Sequence, residues 1–133
     1  MYASSRQFAE QYRKVGATSS ILEADPHKLI QLLLEGACSR LRLAMAHMER
    51  GDQAAKGKAI GRTCDIVSHL AATLELERGG DIAQNLSALY DYVLVKLTEG
   101  NLHNDRSALQ EALDLLTQIE TGWSAIAANA RNS

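Results

Sequence analysis

The stretch from Asp25 to Leu41 constrains the fold of this chain more than any other part of its sequence. Asp25 is suited to cap the first free amides of a helix, and Pro26 fits the first helical position, where a backbone N–H is not needed. Apolar residues then recur at helical spacing, at Leu29, Ile30, Leu33, Leu34, Ala37 and Leu41. One face of this helix must therefore pack against other helices.

The first helix is predicted to run from Pro26 to about Arg50. Gly51 then suits a left-handed position after the helix, and Asp52 suits the cap of a second helix over residues 53–76. Such a short turn makes the two helices antiparallel neighbours.

Two more helices are predicted in the second half of the chain. Residues 77–80 should break the chain, and Asp81 should open a third helix that ends near residues 99–101. Asn104 or Asp105 should cap a fourth helix with an apolar stripe that extends to Ile126. The sequence thus predicts an all-α fold, an antiparallel up-down-up-down four-helix bundle over residues 25–133.

Residues 1–24 differ in kind from the bundle and are predicted to form a mobile N-terminal segment. Met1–Gly16 fits a short helix with a sparse apolar stripe, and the small residues that follow indicate a flexible joint. A weak helix with Phe8 and Tyr12 on such a tether could cover an apolar groove and leave when a partner arrives. Deleting residues 1–16 should then expose apolar surface without unfolding the bundle.

Composition excludes several classes of function. The net charge of −2 argues against nucleic acid as the main partner. No apolar run is long enough for stable membrane insertion and no signal peptide is visible, so a cytoplasmic location is expected. Cys38 and Cys64 form no CxxC pair, and free thiols are favoured over a disulfide.

The sequence shows no pattern typical of an enzyme or a cofactor site. The four histidines are scattered and form no metal-binding motif, and Gly57-Lys58 lacks the spacing of a phosphate loop. The helix stripes are apolar, and a catalytic cluster would need polar groups inside the bundle. We therefore expect a binding protein with no cofactor and no metal.

Surplus apolar residues suggest a binding surface but leave two interpretations open. Leu32–Leu34 and the run from Leu89 to Val95 cover more of their helices than one inward face needs. They indicate either fully enclosed helices with scattered exposed residues or a groove for an amphipathic helix of a partner. Gly57 and Gly61 likewise indicate either a smooth face for a close approach or a frayed helix start.

A characteristic series of residues occurs in order along nearly the whole chain. It includes Met1-Tyr2, Tyr12, Asp25-Pro-His-Lys-Leu-Ile, Leu33-Leu-Glu-Gly-Ala37, Gly51-Asp52, Leu74-Glu-Leu-Glu-Arg-Gly-Gly-Asp81-Ile-Ala-Gln-Asn-Leu86, Leu89-Tyr-Asp-Tyr92, Leu97, Asn101, Asp105 and Trp123. This series resembles the FliS family of flagellar export chaperones. No single motif is diagnostic, but the order across the chain is specific.

The resemblance implies a cytoplasmic chaperone that binds the disordered C-terminal region of flagellin. It would prevent premature polymerisation and deliver flagellin to the flagellar type III export apparatus. The resemblance also implies a contact between the N-terminal segment and the cytosolic domain of the export-gate membrane protein. Tyr12 best matches the tyrosine of that segment, whereas Ala9 departs from the aliphatic residue common three positions before it.

The predicted contact residues flank the second and third helices and include one position in the N-terminal segment. They are Tyr12, Ile60, Val67, Leu86, Tyr90 and Val93. The alternative function is a regulatory bundle that sequesters a flagellar transcription-control protein. Pull-downs with that regulator and with flagellin lacking its C-terminal segment would separate the two.

Overall fold

The computed structural model describes residues 25–74 and 76–132, which form four α-helices. They are α1 (Pro26–Glu49), α2 (Gln53–Ala72), α3 (Leu76–His103) and α4 (Arg106–Asn132). Both α1 and α3 pack against α2 and α4, so the helices form a closed ring in which α1 lies diagonally across from α3. The predicted all-α four-helix bundle is confirmed, whereas the N-terminal segment lies outside the described residues.

The predicted start and end of α1 are confirmed in atomic detail. The Asp25 carboxylate accepts a hydrogen bond from the Lys28 amide at 3.1 Å. At the other end Gly51 has a φ of 74°, and its N–H donates to the Met48 carbonyl. The Asp52 N–H donates to the His47 carbonyl at 3.0 Å, which completes a Schellman motif.

Asp52 serves both helices of the first turn. Its backbone closes α1, and its carboxylate accepts from the Ala55 amide at 3.1 Å, so α2 begins at Gln53 as predicted. The end of α2 is earlier than predicted, at Ala72 rather than residue 76. The Thr73 hydroxyl donates to the Leu70 carbonyl at 2.7 Å, and this local bond competes with continuation of the helix.

The predicted break before Asp81 is confirmed, because Gly80 has a non-helical backbone with φ 55° and ψ −137° that separates two helical stretches within α3. Glycine adopts this backbone conformation without a steric penalty. At its other end α3 continues past residue 101 to His103, and Asn104 ends it with a φ of 52°. Asp105 then caps α4 by accepting from the Ser107 and Ala108 amides.

Gly100 lies inside α3, and α4 approaches it too closely for a larger residue. A Cβ atom at this position would lie 2.4 Å from Leu109 Cδ2 and 2.7 Å from Leu109 Cγ. Leu109 is fully buried, so it has little room to move away. The glycine is therefore a packing site rather than the helix end that the sequence suggested.

Two glycine substitutions should have opposite effects on stability. Gly100→Ala is expected to lower the free energy of unfolding by about 1–2 kcal/mol, because it overpacks the contact with Leu109. Gly61→Ala should raise it by up to about 1 kcal/mol, because Gly61 lies in regular helix with no atom within 4 Å of an added Cβ. Denaturant unfolding followed by far-UV circular dichroism measures both. An equal change in the free energy of unfolding for both variants would show that Leu109 can move aside without destabilising the bundle.

Aliphatic side chains from all four helices fill the centre of the bundle. Thr63 is buried among them, and its hydroxyl donates to the Ala59 carbonyl at 2.9 Å. None of the described helices combines the length and apolar composition that crossing a bilayer requires. The fully buried large side chains include Leu34, Leu41, Ile60, Ile66, Leu70, Tyr90, Leu97, Leu109 and Leu116.

Candidate partner-binding site

A groove opens at the end of the bundle where α1 begins, α2 ends and α3 emerges from its kink. Its volume is about 540 Å³, and every residue that lines it is uncharged. The lining residues are Pro26, Leu29, Ile30, Leu70, Thr73, Leu74, Gly79, Ile82, Ala83, Leu86, Tyr90 and Trp123. A cleft of this size and composition suits apolar side chains of a ligand.

A second groove of about 310 Å³ lies beside the first, between α3 and α4. Ile82, Leu86 and Trp123 line both grooves, so the two form one continuous apolar surface, which we call the double groove. The second groove also lacks charged residues. Its other lining residues are Leu89, Leu115, Gln118, Ile119, Gly122 and Ile126.

The double groove keeps large apolar side chains in contact with water. Ile82 is 68% exposed and Ile126 is 51% exposed. Single exposed apolar residues are common, but a contiguous and uncharged cluster is typical of interaction sites. The kink at Gly80 begins the part of α3 that carries Ile82.

His27 and Trp123 join α1 to α4 beside the double groove. Their rings stack with centroids 4.2 Å apart and planes 13° from parallel. The Trp123 indole N–H donates to the His27 carbonyl at 2.9 Å, and the His27 Nε2–H donates to the Trp123 carbonyl at 3.1 Å. These reciprocal bonds fix the tryptophan that borders both grooves.

The five predicted contact residues that the structure describes divide into two groups. Leu86 lines both grooves and Tyr90 lines the larger one. Ile60, Val67 and Val93 lie in the core of the bundle, each 2% exposed or less. Tyr12 falls outside the described residues.

Sequence reasoning missed Ile82, Trp123 and Leu29 as lining residues. Each of them is an apolar residue of a helix, and helical periodicity marks an apolar face without showing where that face extends beyond its neighbours. The one available signal was that Trp123 is the single tryptophan of the chain.

Burial raises the pKa of one residue that lines the larger groove and of two cysteines elsewhere in the bundle. Burial raises the pKa of Tyr90 to about 12, so its hydroxyl remains protonated. Burial also raises the pKa of both free thiols, Cys38 and the half-buried Cys64, to about 11. Among the described residues, no group of histidine, cysteine and acidic side chains is arranged to hold a metal ion.

The family model and the individual relatives that match this chain all point to the same family. The family model described as "Flagellar protein FliS" matches residues 8–130. The chain is 41% identical over 117 residues to the flagellar secretion chaperone FliSB of Pseudomonas aeruginosa, covering 88% of this chain and 93% of the relative. It is 42% identical over 120 residues to the flagellar secretion chaperone FliS of Salmonella typhimurium, covering 90% and 89%. The corresponding protein of Vibrio cholerae is 37% identical over 115 residues, covering 86% and 85%.

Proposed function

Because the chain belongs to the FliS family of flagellar secretion chaperones, we propose that it binds the disordered C-terminal region of flagellin in the cytoplasm. Binding would prevent premature polymerisation and deliver the subunit to the flagellar type III export apparatus. The observation that carries this proposal is the double groove, a contiguous uncharged surface at one end of the bundle. The proposed role is binding, without catalysis or a cofactor.

The chemistry of the double groove fits a client that folds as it binds. Ordering a disordered chain costs roughly 1–2 kcal/mol per residue in backbone entropy. Burial of apolar surface offsets this cost at about 25 cal/mol per Å², so the contact must be wide. An amphipathic helix could place successive apolar side chains into the two grooves, with Ile82 and Leu86 between them.

The N-terminal segment is a proposed competitor for the same surface. Pro26 lines the larger groove, so the chain enters the bundle beside this groove. The tether would keep Phe8 and Tyr12 at a high local concentration near the groove. We keep Tyr12 as the proposed contact with the cytosolic domain of the export-gate protein.

Substitution of Ile82 tests the proposed site. Ile82→Asp should weaken binding of a synthetic flagellin C-terminal peptide by roughly tenfold or more, because it places a charge where both grooves meet. Ile82 is 68% exposed, so the fold should tolerate the change. Titration calorimetry gives the affinity, and circular dichroism of the mixture gives the gain in helix.

Leu43→Asp is the matched control for this experiment. Leu43 is an apolar residue on α1 that is 41% exposed and lines neither groove, so its substitution should leave the affinity unchanged. Failure of the unaltered chain to bind the peptide would contradict the proposed function. Equal losses in the two variants would contradict the proposed site.

A further inference from the structure

A second apolar stripe runs along the side of α3 that faces away from the core. It consists of Ala88, Tyr92, Val95, Glu99 and Leu102, whose successive separations are four, three, four and three residues. This spacing is the heptad spacing of a coiled-coil seam, and four of its five positions are apolar. We call these five residues the outer seam.

The outer seam is open to solvent, whereas the opposite side of α3 is buried. Tyr92, Val95 and Leu102 are 41%, 52% and 74% exposed. Tyr90 and Leu97 on the inward side are 2% and 0% exposed, so the bundle does not need the outer seam for its core.

A cluster of polar contacts holds the middle of the outer seam in place. The Tyr92 hydroxyl donates to the Glu111 carboxylate of α4. The Lys96 ammonium lies 3.6 Å from Glu111 and 3.2 Å from Glu99, and 5.4 Å from the centroid of the Tyr92 ring. These contacts fix the tyrosine, so a partner would meet a side chain that is already ordered.

The charge around the outer seam indicates which kind of partner helix could bind there. The carboxylate of Glu99 belongs to the outer seam, and those of Asp91 and Glu111 lie beside it. The single Lys96 ammonium pairs with both Glu99 and Glu111, so three carboxylates face one ammonium and the local charge is negative. Two copies that met through this face would bring like charges together, which is unfavourable.

We propose that the outer seam binds a basic amphipathic helix from another protein. The apolar side chains of that helix would pack between Tyr92, Val95 and Leu102. Its lysines or arginines would lie beside Glu99 and Glu111. This contact uses a different side of α3 from the double groove, and it does not depend on what the double groove binds.

A designed peptide probe tests the proposal with the full chain. The probe is a helix of about three heptads with leucine and valine on its seam and lysines at the flanking positions. Its matched control has glutamates in place of the lysines. Titration calorimetry should show binding of the basic probe and binding at least roughly tenfold weaker for the acidic one.

Substitutions in the chain test whether the probe binds at the outer seam. Val95→Glu and Leu102→Glu should each weaken binding of the basic probe by roughly tenfold, and Leu43→Glu on α1 should leave it unchanged. Both seam residues are more than half exposed, so the variants should fold normally. Amide chemical shifts should change along residues 88–102 and stay constant at Ile82 and Trp123.

Three results would overturn the proposal. The first is equal affinity, or no affinity, for the basic and acidic probes. The second is binding that survives both seam substitutions. The third is self-association of the free chain in sedimentation velocity that Val95→Glu abolishes, because the occupant would then be a second copy.

Discussion

Replacing Trp123 with alanine is expected to lower the free energy of unfolding by about 3 kcal/mol. The substitution removes the ring stacked on His27, and it removes the indole N–H that donates to the His27 carbonyl. Trp123 also packs against the core cluster, so its loss leaves a cavity between α1 and α4. Chemical denaturation followed by far-UV circular dichroism measures the effect.

Trp123→Phe separates the two contributions of this residue. Phenylalanine keeps an aromatic ring against His27 but cannot donate to its carbonyl, so the expected loss is about 1 kcal/mol. The alanine variant should also bind the flagellin peptide more weakly, because Trp123 borders both grooves. Equal stability of the alanine variant and the unaltered chain would show that the stacked pair does not hold α1 to α4.

Replacing Lys56 with methionine is expected to lower the free energy of unfolding by about 2–3 kcal/mol. Lys56 is only 4% exposed, and its ammonium donates to the Asn101 carbonyl at 3.1 Å and to Asn104 Oδ1 at 3.0 Å. Its charge also lies at the C-terminal end of α3, where the helix dipole favours a cation. Methionine keeps the apolar stem and leaves both oxygens without this donor.

Lys58 provides the matched control, because it lies two residues after Lys56 on α2 and its side chain is exposed. Lys58→Met should change stability by less than about 0.5 kcal/mol. Hydrogen exchange gives a second readout, since the amides of residues 100–106 should exchange faster in Lys56→Met alone. Unchanged exchange there would mean that Lys56 does not stabilise the α3–α4 turn.

The helix ends that the sequence predicts correctly are those set by neighbouring residues. Asp25, Gly51 and Asp105 act through hydrogen bonds to residues within five positions, so the local sequence contains the whole cause. Gly100 looked like a helix end for the same local reason. Its actual role depends on Leu109 of another helix, which no local pattern reveals.

The candidate site was less predictable because it depends on how each helix is rotated. Val93 and Leu86 are both apolar residues of one helix, yet Val93 is 0% exposed and Leu86 lines both grooves. The difference arises from which neighbour packs over each position. Periodicity alone assigns both to an apolar face.

The stacked pair beside the double groove has a consequence for how the protein is made. His27 and Trp123 are 96 positions apart, so their contact forms only after this part of α4 has left the ribosome. The antiparallel pair α1 and α2 involves much nearer residues and can form while synthesis continues. The complete double groove therefore cannot form on a nascent chain before Trp123 has emerged from the ribosome.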